Sequence, residues 1–189
     1  DGSGDFASMM AARCEGTEIK ILDRVCMPDS LGVFYTALCQ FIGFDGFGEE
    51  YKVMGLAPYG EDKYAEIMKK LLVLDPNGWF KLAKGYFNTY GGMEFDHVDE
   101  SGHIRMTNLY TSKMLQLLGQ PRKRDGELAQ RENDVARSCQ VAFEEAAVHC
   151  MKRLYQLVPT RQYAMAGGSA LNGVANARIL RDTPFEVPY

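Results

Sequence analysis

The sequence lacks the marks of membrane proteins, zinc ribbons and disulfide-rich secreted proteins. None of its apolar runs approaches the roughly 20 residues that a helix needs to cross a bilayer. Its five cysteines are odd in number and irregularly spaced, without a CxxC pair, which argues against a zinc ribbon and a disulfide framework. A net charge of −4 offers no reason to expect nucleic-acid binding. We therefore predict a protein of the reducing cytoplasm, with neither a membrane nor a nucleic acid as its partner.

Signatures of several kinds of catalysis are also missing. The P-loop pattern GxxxxGK[ST] does not occur. The histidines, His97, His103 and His149, do not have metal-ligand spacing. No serine or cysteine has the sequence surroundings of an activated nucleophile. The residues thus assign no catalytic side chain, and they predict a reaction without a covalent enzyme intermediate.

The patterns that are present predict an α/β protein. Hydrophobic residues make up 46% of the 189 residues, which is enough to bury a sizeable core. Alternation predicts a hairpin around residues 14–18, and helical periodicity predicts helices over 29–43, 49–57, 62–75, 109–119, 130–157 and 172–182. The predicted buried stripe of the longest helix ends at Leu157. Short strands are predicted over 78–82, 85–90 and 162–166, with a polar loop and some strand over 94–106. The order of the last elements predicts an at least partly parallel sheet.

The stretch "YAMAGGSALNGVANARIL" at residues 163–180 carries the main functional signal. A strand that ends in Gly167 and Gly168 and turns into a helix offers backbone N–H groups and a positive helix end to an anion, typically a phosphate. Asn172 and Asn176 are one helical turn apart, so they share a face and are placed to bond ribose or phosphate. The alternative is a tight strand-to-helix turn that Asn172 caps.

A second glycine-rich stretch, "DGSGDFAS", opens the chain. Actin-like ATPases hold phosphate and metal with an aspartate followed by such a turn. In this interpretation Asp1 supplies a carboxylate, and Gly2, Ser3 and Gly4 supply backbone donors. The alternative is a solvent-exposed turn.

Charged residues and glycines are combined in "GEEYKVMGLAPYG". Acids near a nucleotide commonly accept ribose hydroxyls, and a lysine can meet phosphate, which would involve Glu49, Glu50 and Lys52. The residues by themselves favour an amphipathic helix with a solvated charged edge. The basic cluster of Arg122, Lys123 and Arg124 is likewise interpreted as a solvated turn rather than an anion contact.

Three long motifs, "EYKVMGLAPYG", "GQPRKRDGELAQRENDVARSCQ" and "AGGSALNGVANARIL", resemble in order and separation the carbamoyltransferases of the nodulation-protein-U and antibiotic O-carbamoylation type. The resemblance covers essentially the whole chain. It implies an actin/Hsp70/sugar-kinase-like (ASKHA) fold, a mixed sheet with flanking helices, akin to the threonylcarbamoyl-transferring tRNA-modification proteins. Because the chain opens inside a motif and without Met, residues 1–189 are predicted to be a central part of this large domain.

The resemblance also implies a reaction. Carbamoyl phosphate and ATP give carbamoyl-adenylate in a separate carboxy-terminal domain of the same full-length chain. The large domain then transfers the carbamoyl group to a hydroxyl of a small acceptor of the sugar, nodulation-factor or antibiotic type. A divalent metal takes part, iron by analogy, with magnesium as the alternative. The 189 residues alone are expected to be inactive.

The family's functional motifs map onto positions of this chain. The implied nucleotide-binding positions are Gly167, Gly168, Ser169, Asn172, Asn176, Glu50, Lys52, Gly2 and Gly4. The implied metal ligand is Asp1, with the other ligands expected outside these residues. Two alternatives stay open, an actin-fold ATPase or kinase and a non-catalytic nucleotide-binding module. The sequence indicates neither the acceptor nor the oligomeric state.

Overall fold

The computed structural model describes residues 2, 4–76, 78–89, 95–100, 102 and 104–188. The helices are α1 (Leu31–Phe41), α2 (Tyr51–Leu56), α3 (Ala65–Leu71), α4 (Ser112–Leu118), α5 (Gln130–Leu157) and α6 (Gly173–Asp182). The strands are β1 (Ala7–Glu15), β2 (Glu18–Cys26), β3 (Leu72–Leu74), β4 (Phe80–Leu82), β5 (Phe95–Val98), β6 (Ile104–Met106), β7 (Gln162–Tyr163) and β8 (Val187–Pro188). This confirms the predicted α/β class. Every helix in the described ranges is too short or too polar to span a membrane.

The chain divides into two compact units. The first joins Asp1–Gly32, Leu74–Lys81 and Phe143–Tyr189, and the second joins Val33–Val73 and Leu82–Ala142. Within the described residues, four two-stranded sheets pair β1 with β2, β3 with β4, β5 with β6, and β7 with β8. The last pair is parallel. Each unit therefore brings together segments that are far apart in the sequence.

The hairpin predicted near the start of the chain is confirmed. β1 and β2 pair antiparallel, and Glu15 lies opposite Glu18. Gly16 in the turn has a φ of 60°, a left-handed conformation that glycine adopts at little cost. The buried hydroxyl of Ser8 donates to the Val25 carbonyl at 3.3 Å. This bond helps to hold the two strands together where the register of β1 is irregular.

Two predicted elements in the middle of the chain are wrong in extent. The helix predicted to reach Asp75 ends at Leu71, because the residues of β3 pair with β4 and exchange helical hydrogen bonds for sheet ones. The strand predicted over 85–90 forms only an isolated bridge between Phe87 and Tyr110 among the described residues. In both places a pairing partner, and not the local apolar pattern, sets the length of the element.

The strand predicted over 162–166 is also shorter than its apolar pattern. β7 spans only Gln162–Tyr163, since its parallel partner β8 is two residues long and includes a proline without an N–H group. The polar stretch expected to contain some strand holds β5 and β6, which pair antiparallel. The helices α1, α2, α4, α5 and α6 lie where periodicity placed them.

Helix α5 has the bounds predicted for it, and its 28 residues would span roughly 42 Å. Its predicted stripe is buried or half-buried up to Leu154, but Leu157 is 36% exposed. A second set of buried positions on α5 is polar, which the apolar pattern did not predict. These residues are Glu132, Asp134, Ser138, Gln140 and Glu144. Their burial requires hydrogen-bond partners from other elements.

In the second unit, polar side chains of α5 hold the loop that follows α2. Asp134 accepts hydrogen bonds from the Glu61 N–H at 2.8 Å and from Lys63 Nζ at 3.0 Å. Ser138 Oγ accepts the N–H of Tyr64 at 3.0 Å. The bond from the Glu61 N–H, with further bonds from Gln130 and Lys63, lowers the pKa of Asp134 to about 2.

The backbone of this loop also contacts the backbone of α5 closely. A methyl group at Gly60 would lie 1.9 Å from the Asn133 carbonyl oxygen of α5. No real Cβ atom tolerates that distance, and the obstacle is backbone that cannot rotate away. Gly60 is therefore needed for space, since its φ of −104° is open to any residue.

We predict that Gly60→Ala destabilises the protein by about 1–3 kcal/mol, because the loop must move away from α5. Gly55→Ala is the matched control: Gly55 lies in α2 with nothing within 4 Å of the new methyl group, so alanine should stabilise by about 0.5–1 kcal/mol. Urea unfolding of both variants measures the difference. Equal stability of the two variants would contradict the described packing of Gly60.

Candidate functional site

The glycine turn of the first unit lies between β7 and α6. Gly167 has φ 99° and ψ 167°, a backbone conformation that L side chains rarely adopt. The chain then forms a 3₁₀ turn over Gly168–Leu171, in which the Ala170 N–H bonds to the Gly167 carbonyl at 3.0 Å. Gly167, Gly168 and Leu171 are all exposed. The turn thus presents the backbone of its two glycines to its surroundings, as the sequence predicted, next to the exposed side chain of Leu171.

The two asparagines after the glycines hold the turn in shape. Asn172 is 9% exposed, and its Oδ1 accepts the Ala175 N–H at 3.0 Å, which caps α6. Asn176 Nδ2 donates to the Ala170 carbonyl at 2.8 Å. The cap alternative for Asn172 is therefore confirmed. A ligand role for the asparagines stays a prediction, and Asn176 Oδ1 accepts no bond from the described residues.

Packing onto α5 fixes the direction of α6 within the first unit. Ile179 is 1% exposed and shares an apolar cluster with Val148 and Met151 of α5. Tyr163 and Phe185 belong to the same cluster, with ring centroids 5.0 Å apart. The strand before the turn and the helix after it are thus anchored in one core.

An ion pair reinforces this packing. Arg178 Nη1 on α6 donates to Glu144 Oε2 on α5 at 3.2 Å, and Arg178 Nε donates to Asp182 at 3.2 Å. Side-chain exposures of 24% for Arg178 and 10% for Glu144 make this pair largely buried. Because a buried charge needs a partner, the pair restricts how α6 can rotate against α5.

The geometry of the turn suits an anion. Backbone N–H groups at the beginning of a helix are not satisfied by the helix itself, and the helix dipole favours negative charge there. No acidic residue lies in the first turn of α6, so this helix places no carboxylate of its own against an incoming phosphate.

The opening turn is described only in part. Asp1 and Ser3, a predicted metal ligand and a predicted donor, lie outside the described residues. The Gly2 carbonyl accepts the Ser30 hydroxyl at 2.8 Å, and Gly4 and Ala7 exchange backbone bonds of 2.7 and 2.9 Å. Within the described ranges there is no group of three His, Cys, Asp or Glu side chains placed to hold a metal.

Left-handed backbone marks the same opening turn. Asp5 and Phe6 have φ values of 48° and 67°, and Phe6 is 85% exposed. A bulky residue in this conformation costs about 1–2 kcal/mol. The turn is therefore held in place by its bonds to Ala7 and by the Met27 N–H, which donates to the Phe6 carbonyl at 2.8 Å.

The acidic loop belongs to the second unit, where its charges have protein partners. Glu50 Oε1 accepts the Thr36 hydroxyl at 2.8 Å. Lys52 Nζ lies 2.5 Å from Glu49 Oε1 and 4.7 Å from the centre of the Phe44 ring. These charges are thus paired within the unit rather than solvated. Nucleotide contact by Glu50 and Lys52 stays a prediction.

The interpretation of Arg122 and Arg124 as a solvated turn is wrong. Arg122 Nε donates to the Ile42 carbonyl at 2.7 Å, and its Nη1 donates to the Gly126 carbonyl at 2.6 Å. Arg124 forms two bonds of 3.0 Å to Glu49 and a further bond to Asp45. Apart from the nearby Gly126 carbonyl, these partners lie 75 to 80 residues away in the sequence, so no local pattern could reveal them.

Glu49 is the centre of this second-unit network. Burial alone would raise the pKa of its carboxyl group. Hydrogen bonds from Lys52, Arg124 and the Gly46 N–H outweigh burial and lower the pKa to about 2. The carboxylate is therefore ionised in all ordinary conditions, which makes it a structural charge rather than a proton donor.

An exposed glycine turn before a capped helix places the chain among α/β proteins with loops suited to anions. Over residues 1–189 the chain matches the family described as carbamoyltransferase N-terminus. It therefore belongs to the carbamoyltransferase family, and the resemblance drawn from its motifs is confirmed.

Several relatives match along nearly the whole chain. An uncharacterized protein of Synechocystis sp. is 37% identical over 98% of this chain and 28% of its own length. Nodulation protein NolO of Bradyrhizobium diazoefficiens is 30% identical over 98% of this chain and 30% of its own length. Nodulation protein NolNO of Sinorhizobium fredii is 28% identical over 98% of this chain and 24% of its own length. The chain thus spans 24% to 30% of the length of these relatives.

We predict that the Glu49 network makes stability depend on acid pH. The pKa of Glu49 falls from 4.5 to about 2 on folding, so its contribution is complete above pH 4.5 and is lost as the pH falls toward 2. Glu49→Gln should cost roughly 2 kcal/mol at pH 7. It should also flatten the stability curve between pH 4.5 and 2, as measured by urea unfolding at each pH.

Glu66→Gln is the matched control for this experiment. Glu66 pairs with Lys69, but its side chain is 80% exposed, and exposed pairs contribute only about 0–1 kcal/mol. If both variants show the same pH dependence, the assignment of Glu49 as the network's centre is wrong.

Proposed function

We propose that this chain is part of a carbamoyltransferase that moves a carbamoyl group from carbamoyl phosphate, by way of ATP-dependent carbamoyl-adenylate, to a hydroxyl of a small-molecule acceptor. Membership of the carbamoyltransferase family supports the reaction class. The single observation that carries the site is the exposed turn at Gly167 and Gly168 before the capped helix α6. The acceptor class, a sugar, nodulation factor or antibiotic, rests on the family resemblance.

In the transfer step, the acceptor hydroxyl gives up its proton to solvent as its oxygen bonds to the carbamoyl carbon, and the bond from that carbon to the phosphate oxygen of AMP breaks. AMP leaves with the electron pair, so negative charge grows on its phosphate. Fixed donors at that position lower the barrier because they need not reorganise. In our proposal the backbone of the glycine turn and the beginning of α6 bind this phosphate, and Asn176 Oδ1 accepts a ribose hydroxyl.

The opening turn has a second role in this proposal. Gly2 and Gly4 would add backbone donors for phosphate, and Asp1 would be one ligand of a divalent metal, iron or magnesium. Such a metal would polarise an oxygen of the reacting group. One carboxylate binds a metal weakly, so the proposal places the remaining ligands outside these 189 residues.

Glu50 and Lys52 fit the proposal less directly. Each already bonds a neighbour in its own unit, Thr36 and Glu49 respectively. Nucleotide contact by either side chain would require an exchange of these partners or a shared bond. The ASKHA fold and a carbamoyl-adenylate-forming domain in the same longer chain complete the proposed arrangement.

Asn172→Asp in the full-length protein tests the site. Aspartate accepts the same cap bond as asparagine, so the variant should still fold, which urea unfolding checks before binding is measured. Its negative charge near the turn should weaken ATP or AMP binding by at least roughly tenfold. Calorimetric titration measures the affinity, and carbamoylation with and without carbamoyl phosphate measures the reaction.

Asn172→Ser is the matched control, since serine also caps the helix but carries no charge. It should keep nucleotide affinity close to wild type. Wild-type affinity in Asn172→Asp would overturn the proposed phosphate site. Product formation that needs ATP but not carbamoyl phosphate would overturn the proposed reaction in favour of an actin-fold kinase or ATPase.

A further inference from the structure

A hollow lies at the far end of α6 from the glycine turn. It is wide open to solvent, has a volume of about 580 Å³ and is lined by Lys152, Tyr155, Gln156, Arg181, Asp182, Thr183 and Pro184. All seven residues belong to the first unit. The lining comes from the last turns of α5 and α6 and from the residues just after α6. Since α6 has ten residues, the hollow and the turn are roughly 14 Å apart along its axis.

Positive charge dominates this hollow. Asp182 is its one carboxylate, and that group already bonds Arg181 at 2.7 and 3.1 Å and Arg178 at 3.2 Å. The bonds from Arg181, with help from Arg178, outweigh burial and lower the pKa of Asp182 to about 2. Asp182 is therefore ionised and already satisfied by arginines.

Lys152 has no such partner. No carboxylate of the described residues lies within salt-bridge distance of Lys152 Nζ, whereas Asp182 engages both Arg178 and Arg181. Because Arg178 also pairs with Glu144, the two arginines are matched by two carboxylates, and the positive charge left beside the hollow is that of Lys152. An ammonium group with three donors and no acceptor nearby favours a carboxylate or phosphate.

Two helix ends oppose this attraction. The C-termini of α5 and α6 carry partial negative charge, which at an exposed position is worth about 0.3–1 kcal/mol each. A charge-assisted hydrogen bond from a lysine or arginine contributes about 1.5–3 kcal/mol. The cationic side chains thus outweigh the helix ends, and the hollow attracts an anion.

The walls of the hollow add a flat apolar surface. Tyr155 packs edge-on against Phe185, with centroids 5.6 Å apart and rings at 90°. Phe185 is 1% exposed, so it anchors the half-buried Tyr155 ring. Pro184 supplies a second rigid ring. A ligand ring that lies beside the anion would contact these surfaces.

We propose that this hollow binds a small molecule in which one carboxylate or phosphate group is attached to a ring. Lys152 would bond the anionic group, and Tyr155 and Pro184 would contact the ring. The volume lies within the range of about 300–1,000 Å³ that small-molecule sites occupy. This site is separate from the proposed nucleotide turn and does not depend on it.

Phenyl phosphate is a suitable probe, because it joins a ring to an anion, and it is compared with inorganic phosphate and phenol. Binding is measured by calorimetry and NMR on the full-length protein. We expect phenyl phosphate to bind more tightly than either part. Lys152→Gln should weaken it roughly tenfold, the effect of losing one charge-assisted bond. Tyr155→Leu should weaken the binding of phenyl phosphate more than the binding of inorganic phosphate.

Lys20→Gln is the matched control, since it removes the same charge from the exposed strand β2 of the same unit. It should leave the affinity unchanged. Wild-type affinity in Lys152→Gln, or equal losses in Lys152→Gln and Lys20→Gln, would overturn the proposal. So would loss of phenyl phosphate binding in Asn172→Asp alone, which would place the probe at the glycine turn.

Discussion

The hydrogen bond from the Ala175 N–H to Asn172 Oδ1 fixes where α6 begins, and the candidate site depends on it. Without a cap, the first turn of a helix can unravel, and its backbone N–H groups lose their common direction. The cap works together with Asn176, which holds the Ala170 carbonyl. Two amide side chains thus keep the exposed backbone between Gly167 and α6 in one shape.

The glycine turn also needs a fixed position, and it has one only if α6 does not move relative to α5. The buried Ile179 and the Glu144–Arg178 pair attach α6 to α5. The same attachment also forms the hollow at the other end of α6, because Arg181 and Asp182 follow one turn later on the helix. One packed helix therefore positions both a backbone surface suited to phosphate and a cationic hollow. The two ends of α6 differ in chemistry. Its beginning follows the glycine turn, whereas its C-terminal turn carries the charged side chains of Arg181 and Asp182.

The second unit shows how buried polar groups are satisfied in this chain. Gln40 is 4% exposed, and its amide bonds the Thr107 carbonyl and the Leu109 N–H. Arg122 bonds carbonyl groups after α1, and Arg124 bonds Asp45 and Glu49. Each such group would cost stability if its partner were lost. Irregular loops in this unit are thus held by specific hydrogen bonds rather than by apolar contact alone.

Elements with a long periodic pattern were predictable from the sequence, and short ones were not. Helix α5 has its predicted bounds, because seven turns of periodicity outweigh local ambiguity. The residues Leu72–Leu74 continued a helical pattern yet form a strand, because Phe80–Leu82 pairs with them. The secondary-structure propensity of a short segment predicts its conformation poorly where another strand is available to pair with it.

The amino-acid sequence by itself determined the α/β class, the hairpin, every predicted helix except the end of α3, the glycine turn and the family. Each of these features follows from patterns among neighbouring residues or from the order of the motifs along the chain. Only the tertiary structure decided that Asn172 is a cap, that Arg122 and Arg124 are bonded internally, and that Lys152 stands beside Arg181. The reason is physical: hydrogen bonds and charge pairs act over a few ångströms, and folding brings together residues that are tens of positions apart.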